Sequence, residues 1–166
     1  MRLIVGAGGT GGGIYPAIAI LQALKPTEHE ILWVGSEGGM EAALVQRAGY
    51  RFMGIPSAGL HGVGLKALPG NLLRLSKGLR AAGKIIKQFQ PDGLLLTGGY
   101  VSIPVAIAGR KIPSLLYVPD IEPAQAVSLI ARFAERIAVT TPDSTRFYPQ
   151  KSKVTVTGYP TRSELK

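Results

Sequence analysis

The chain has 166 residues, of which 19 are Lys or Arg and 10 are Asp or Glu, giving a formal net charge of +9. Its 46% apolar content and lack of Cys suit one packed domain and exclude wholesale disorder, a disulfide scaffold and a Cys-based metal site. No apolar run approaches the ~18 residues of a membrane span, the opening Met1–Val5 runs into glycines unlike an export leader, and the cationic excess points to an anionic partner.

In chain order, Leu3–Val5 reads as a strand ending in Gly6, and Ile14–Leu24 as a helix with Pro16 in its first turn. Glu30–Val34 is a second strand, Met40–Arg47 a helix, and Arg51–Ile55 a third strand. Ala58–Gly70, with four Gly and a Pro, reads as a long loop. Leu72–Phe89 follows as a long helix with Asn71 as its N-cap. Leu94–Leu96 is a buried strand and Val101–Ala108 a helix; Leu115–Val118, Ile137–Val139 and Val154–Val156 are strands, with a helix at Ala124–Phe133. This alternation predicts an α/β domain with a doubly wound, Rossmann-like, mostly parallel sheet of six or seven strands.

Charge is unevenly placed. From Ala42 to Pro91 there is no acid, while Arg47, Arg51, Lys66, Arg74, Lys77, Arg80, Lys84 and Lys87 all fall there. Within the long helix, Leu72, Leu75, Leu79, Ala82, Ile86 and Phe89 recur at alternating spacings of three and four, which predicts one stripe against the sheet. Arg74, Lys77, Arg80, Lys84 and Lys87 fall opposite, with Leu73 among them. An ordinary solvated face is one reading. The absence of acids, and the apolar Leu60, Val63 and Leu65 in the preceding loop, fit an anionic membrane surface equally well.

Two glycine loops follow strands. Gly6-Ala7-Gly8-Gly9-Thr10-Gly11-Gly12-Gly13 leads into a helix, as does Thr97-Gly98-Gly99-Tyr100-Val101-Ser102. Such loops let backbone N–H groups approach a phosphate, and in a parallel sheet both lie at the carboxyl edge, where ligands bind. Gly6, Gly8 and Gly11 also satisfy the dinucleotide fingerprint, so an NAD(P)-binding domain is an alternative, although no ribose-binding acid is cleanly placed after the second strand. Thr10, Ser102 and Tyr100 could offer hydroxyls; capping or packing would occupy them equally well. No nucleic-acid motif accompanies the basic charge.

Taken together, Gly8-Gly9-Thr10-Gly11-Gly12 with Ile14-Tyr15-Pro16-Ala17, and Gly98-Gly99-Tyr100-Val101-Ser102 with Pro104, resemble the two glycine loops of the MurG-type glycosyltransferases (family 28, GT-B fold). Leu32-Trp33-Val34-Gly35, Met40-Glu41, Leu44-Val45, Ala48-Gly49-Tyr50, Gly59-Leu60, Gly62 and Gly64 fit the same pattern. Gly158-Tyr159-Pro160-Thr161-Arg162 resembles the segment that ends the family's N-terminal domain.

The resemblance implies that residues 1–162 are an acceptor-binding domain, that 163–166 begin the interdomain linker, and that the donor-binding C-terminal domain is absent. It implies an inverting transfer from a UDP-sugar, UDP-GlcNAc in the type enzyme, to a lipid-linked undecaprenyl-diphosphate sugar on the cytoplasmic membrane face. No metal or cofactor is implied, and this half alone is expected not to transfer sugar. The acceptor diphosphate would lie on Gly8, Gly9, Thr10, Gly11, Gly12, Gly98, Gly99, Tyr100 and Ser102. Leu65, Leu73, Arg74, Lys77, Arg80 and Lys84 would meet the membrane, and a donor domain in cis or trans would be the partner. A membrane-recruitment subunit of a split enzyme is the non-catalytic alternative.

The sequence also departs from that pattern. Gly13 stands where the family has a His, Tyr117-Val118-Pro119-Asp120 where it has His-Glu-Gln-Asn, and His61-Gly62-Val63 where it has Arg-Gly-Lys. Asp120, at the family's Asn position, is the candidate base for an acceptor hydroxyl, with helix capping as its structural alternative. These changes imply a diverged member.

Overall fold

A computed structural model describes residues 1–9, 11–24, 28–58 and 68–160. Its elements are β1 (Arg2–Ala7), α1 (Gly11–Gln22), β2 (Glu30–Ser36), α2 (Glu41–Arg47), β3 (Arg51–Ile55), α3 (Leu68–Phe89), β4 (Gly93–Gly98), α4 (Ser102–Ala108), β5 (Ser114–Val118), α5 (Gln125–Ile130), β6 (Arg136–Val139) and β7 (Val154–Val156). Two 3-10 turns, Pro142–Phe147 and Lys151–Lys153, link β6 to β7. The seven strands form one sheet in the order β3-β2-β1-β4-β5-β6-β7, and every neighbouring pair is parallel. The doubly wound sheet expected from the alternation is therefore present, with the larger strand number.

Period-two alternation divides the core. Leu3, Val5 and Ala7 of β1 join Trp33 of β2 and Leu95 of β4 against Ile14, Ala17, Ile18 and Leu21 of α1 and Val45 of α2. Ile4, with Leu32, Val34, Leu94, Leu96 and Leu116, faces Ala82, Ile85 and Phe89 of α3 and the helices α4 and α5. The central strands β1 and β4 are thus covered on both faces, and their near-continuous apolar runs follow from that position.

Helix boundaries differ from the sequence expectation in ways that matter. α1 begins at Gly11, so Gly11, Gly12 and Gly13 form its first turn and do not extend the loop. Pro16 then sits in the second turn, where it has no N–H to offer the Gly12 carbonyl. α3 begins at Leu68, which places Asn71 inside the helix instead of at its N-cap. α5 is shorter than expected and is entered from Ala124 in extended conformation, with no side-chain cap.

The apolar stripe of α3 is buried only in its second half. Ala82 and Phe89 are buried and Ile86 half-buried, with Ile85, outside the expected stripe, buried beside them, whereas Leu72 and Leu79 are 53% and 37% exposed. The helix beds down through Gly78, whose bare Cα lies on the Pro56 carbonyl and beside Pro104 of α4. A contact made by a glycine is invisible to a search for apolar periodicity, and it leaves the larger residues of the first turns outside.

Candidate functional site

The strand order reverses at β1 and β4. β1 has β2 and β3 on one side, and β4 leads to β5, β6 and β7 on the other. The loops leaving their carboxyl ends therefore flank the crevice where open α/β sheets bind ligands. Both glycine loops lie there. Gly8 is buried and Gly9 exposed; Gly98 is buried, and Gly99 and Tyr100 are half-buried. Gly12 is exposed in the first turn of α1, which begins at Gly11, whereas Thr10 lies outside the described residues.

The two loops touch through their backbones. Gly99 adopts φ +79° and packs its Cα against the carbonyl of Gly8, an approach that a Cβ would block. Ser102 is fully buried, and its hydroxyl lies 2.7 Å from the Gly6 carbonyl and 2.6 Å from the Gly98 carbonyl. The hydroxyl therefore ties the ends of β1 and β4. Trp33 adds a buried indole N–H donated to the Ala7 carbonyl at 2.9 Å. Tyr100 packs its ring against the core.

Gly13 lies over the end of β4. A Cβ there would fall 2.9 Å from the Thr97 carbonyl and 3.1 Å from Thr97 Oγ1. Thr97 is itself buried, and its hydroxyl has no hydrogen-bond partner among the described residues. In this chain, then, the position where the resemblance expects His is fitted to a bare Cα.

Asp120 follows β5 at the same edge and is exposed, as are its neighbours Ile121 and Glu122. Because Ala124 occupies the N-cap of α5, Asp120 does not cap that helix. Tyr117, at the end of β5, donates its hydroxyl to the Gly158 carbonyl at 3.3 Å and so anchors the C-terminal segment to the sheet. Burial, with a smaller contribution from Tyr159, pushes the Tyr117 phenol up to about 12.

α3 enters from the carboxyl end of β3 and runs back to the start of β4, so its first turns lie at the ligand edge. Leu73 is 55% exposed beside the exposed Arg74, Lys77, Arg80 and Lys84. Leu65 lies outside the described residues, as does His61. None of the described helices is long and apolar enough to cross a membrane. Among the described residues there is no group of three or more His, Asp or Glu arranged to hold a metal ion.

Glu41, at the start of α2, is the residue whose role the sequence reading missed. It is fully buried beneath the first loop, and its Oε1 accepts the Ser36 N–H at 2.6 Å. The available signal was an acid two residues after the Gly38-Gly39 pair that follows β2.

A parallel, doubly wound domain with paired glycine loops at its switch point defines the class: a Rossmann-like α/β domain. The glycosyltransferase family 28 N-terminal domain matches residues 3–139, and the chain belongs to that family. It is 39% identical over 99% of its length to a UDP-N-acetylglucosamine--N-acetylmuramyl-(pentapeptide) pyrophosphoryl-undecaprenol N-acetylglucosamine transferase of Desulforamulus reducens, covering 45% of that protein. The protein of the same name from Geotalea uraniireducens is 36% identical over 99% of the chain, which covers 46% of it. The chain thus spans less than half the length of these relatives. Among solved structures, Acinetobacter baumannii MurG superposes with a TM-score of 0.80 at 24% identity, over 98% of this chain and 46% of that one. A UDP-GlcNAc 2-epimerase from Neisseria meningitidis, bound to UDP-GlcNAc, gives 0.69 at 14% identity over 96% and 46%. Both likenesses show the fold, which is that of one half of a GT-B enzyme.

Proposed function

We propose that this chain is the acceptor-binding half of an inverting glycosyltransferase that uses a UDP-sugar, UDP-GlcNAc by analogy with its relatives, and an undecaprenyl-diphosphate-linked sugar acceptor. The observation that carries the reading is the backbone contact between the two glycine loops at the switch point of the sheet. Family membership and the relatives' printed activity support it over a dinucleotide-binding domain.

In this reading the loops hold the diphosphate-sugar of the acceptor through backbone N–H groups. An acceptor hydroxyl attacks the anomeric carbon of the donor, the bond to UDP breaks, and the configuration inverts. Asp120, exposed at the same edge, takes the hydroxyl proton. A donor-binding domain, in cis or in trans, supplies the UDP-sugar and stabilises the departing diphosphate. Leu73, Arg74, Lys77, Arg80 and Lys84 rest on anionic lipid at the cytoplasmic face of the membrane, placing the loops beside a lipid-borne substrate.

The test is flotation with anionic liposomes, with and without a polyprenyl-diphosphate sugar, comparing the wild type with Lys77→Glu/Arg80→Glu/Lys84→Glu. Binding that the lipid-linked sugar strengthens and the charge reversal abolishes supports the reading. Absence of binding in both conditions overturns the lipid-linked acceptor.

A further inference from the structure

A cleft between α5 and the paired 3-10 turns lies at the opposite edge of the sheet from the glycine loops. Arg132 follows the end of α5, Ile137 is the second residue of β6, and Lys153 immediately precedes β7, so the walls gather where β6 and β7 begin. The cleft has a volume of about 360 Å³, at the lower end of the range of small-molecule sites. The space is left by Ser128 and Ala131, both small and three positions apart on one face of the α5 turn. Ile137, Phe147 and Tyr148 supply apolar wall.

Charge in the cleft is one-sided. Arg132 and Lys153 line it, and no acid does. The Arg146 guanidinium stacks 4.9 Å from the centre of the Phe147 ring, which brings a third cation to that wall. Between positions 123 and 160 the acids are Glu135 and Asp143, both exposed and neither part of the wall. Among the described residues, none of the three cations has a salt-bridge partner. The rim is held by the chain itself: Lys151 donates to the Thr145 carbonyl, and Lys153 Nζ to the Ala134 carbonyl at 3.3 Å. An ammonium has three donors, so that bond leaves Lys153 able to meet an anion as well.

We propose that this cleft is a second binding site, for a small organic anion. A compact aromatic body packs between the α5 turn and the Phe147 and Tyr148 rings, and its acidic group meets Arg132 and Lys153. The site stands apart from the acceptor reading above and leaves the glycine-loop edge free.

The test titrates the full 166-residue chain with 2-naphthoate and, separately, with 2-naphthamide, which keeps the ring system and removes the charge. Amide NMR shifts are the readout. 2-Naphthoate moves Ala131, Arg132, Phe147 and Tyr148 and leaves Gly9 and Gly99, at the other edge, in place. 2-Naphthamide binds about tenfold more weakly, the loss expected when a charge-assisted hydrogen bond is removed. Arg132→Glu, at an exposed position, weakens 2-naphthoate by about tenfold or more but leaves the amide within about twofold. Ser128→Trp, also exposed, fills the cleft and abolishes binding of both. Equal affinity for the acid and the amide overturns the anionic ligand class. Shifts confined to the glycine loops, or no saturable shift, overturn the site. The ligand pair on the wild type decides the matter even if a variant fails to fold.

Discussion

The Cα of Gly99 rests on the carbonyl of Gly8, 91 positions earlier in the chain, and so joins the loop after β4 to the loop after β1. Two separate obstacles meet a side chain at Gly99: the left-handed backbone, φ +79°, and the oxygen beneath it. Gly9 shares the first obstacle, with φ +88°, but has open space around it. Gly9→Ala should cost about 1 kcal/mol, the price of the left-handed conformation alone. Gly99→Ala should cost about 3 kcal/mol, since overpacking is added. Urea unfolding of the two variants separates the terms.

The same comparison is available within α3. Gly78 lies on the Pro56 carbonyl, whereas Gly83 has nothing within 4 Å of where a Cβ would stand. Gly83→Ala should stabilise by about 0.5–1 kcal/mol through helix propensity. Gly78→Ala should instead destabilise by about 1–3 kcal/mol because the helix must lift from its bed. Thermal unfolding of both, with opposite signs, checks this account of how α3 sits.

Replacing Gly13 with the residue the family pattern expects should weaken this chain. A Cβ at 2.9 Å from a backbone carbonyl requires α1 or the end of β4 to move, so Gly13→His should lose about 1–3 kcal/mol. Gly13→Ala should lack the usual helix-propensity gain. Both are read from denaturation midpoints.

Alkaline stability should follow the buried phenols. Burial pushes Tyr148 up to about 12, and Tyr117 is raised to about the same value. The folded state therefore keeps protons that the unfolded state gives up, so the stabilising contribution is full below pH 10 and is lost as pH rises from 10 towards 12. The Tyr148 hydroxyl is buried without a partner among the described residues, so Tyr148→Phe should be neutral or stabilising near pH 7 and should shrink the alkaline loss. Unfolding free energies at pH 7 and across pH 9–12 test both parts.

The layout was legible because strands announce themselves through apolar runs and turn residues. β1, β2, β4 and β6 fall close to where Leu3–Val5, Glu30–Val34, Leu94–Leu96 and Ile137–Val139 place them. Both glycine loops were legible for the same reason, since glycines after a strand mark the carboxyl edge. Less legible was everything decided by backbone proximity. The carbonyl partners of Ser102, 96 and 4 positions away, carry no sequence signal. The stripe of α3 was read from large side chains, but a glycine sets its depth. Glu41 reads as an ordinary helix-start acid, and only folding encloses it between Gly8, Gly35 and Gly39.

The bridge made by Ser102 has a thermodynamic consequence. Ordering a free backbone residue costs about 1–2 kcal/mol, and in these loops part of that cost is met when the sheet forms, because β1 and β4 are laced together at their ends. A ligand spanning both loops arrives at a surface already in place. Its binding should then show a small heat-capacity change, limited to the area it covers, without the larger change that accompanies coupled folding. Ser102→Ala, by loosening the lacing, should enlarge that change even where it leaves the affinity little altered.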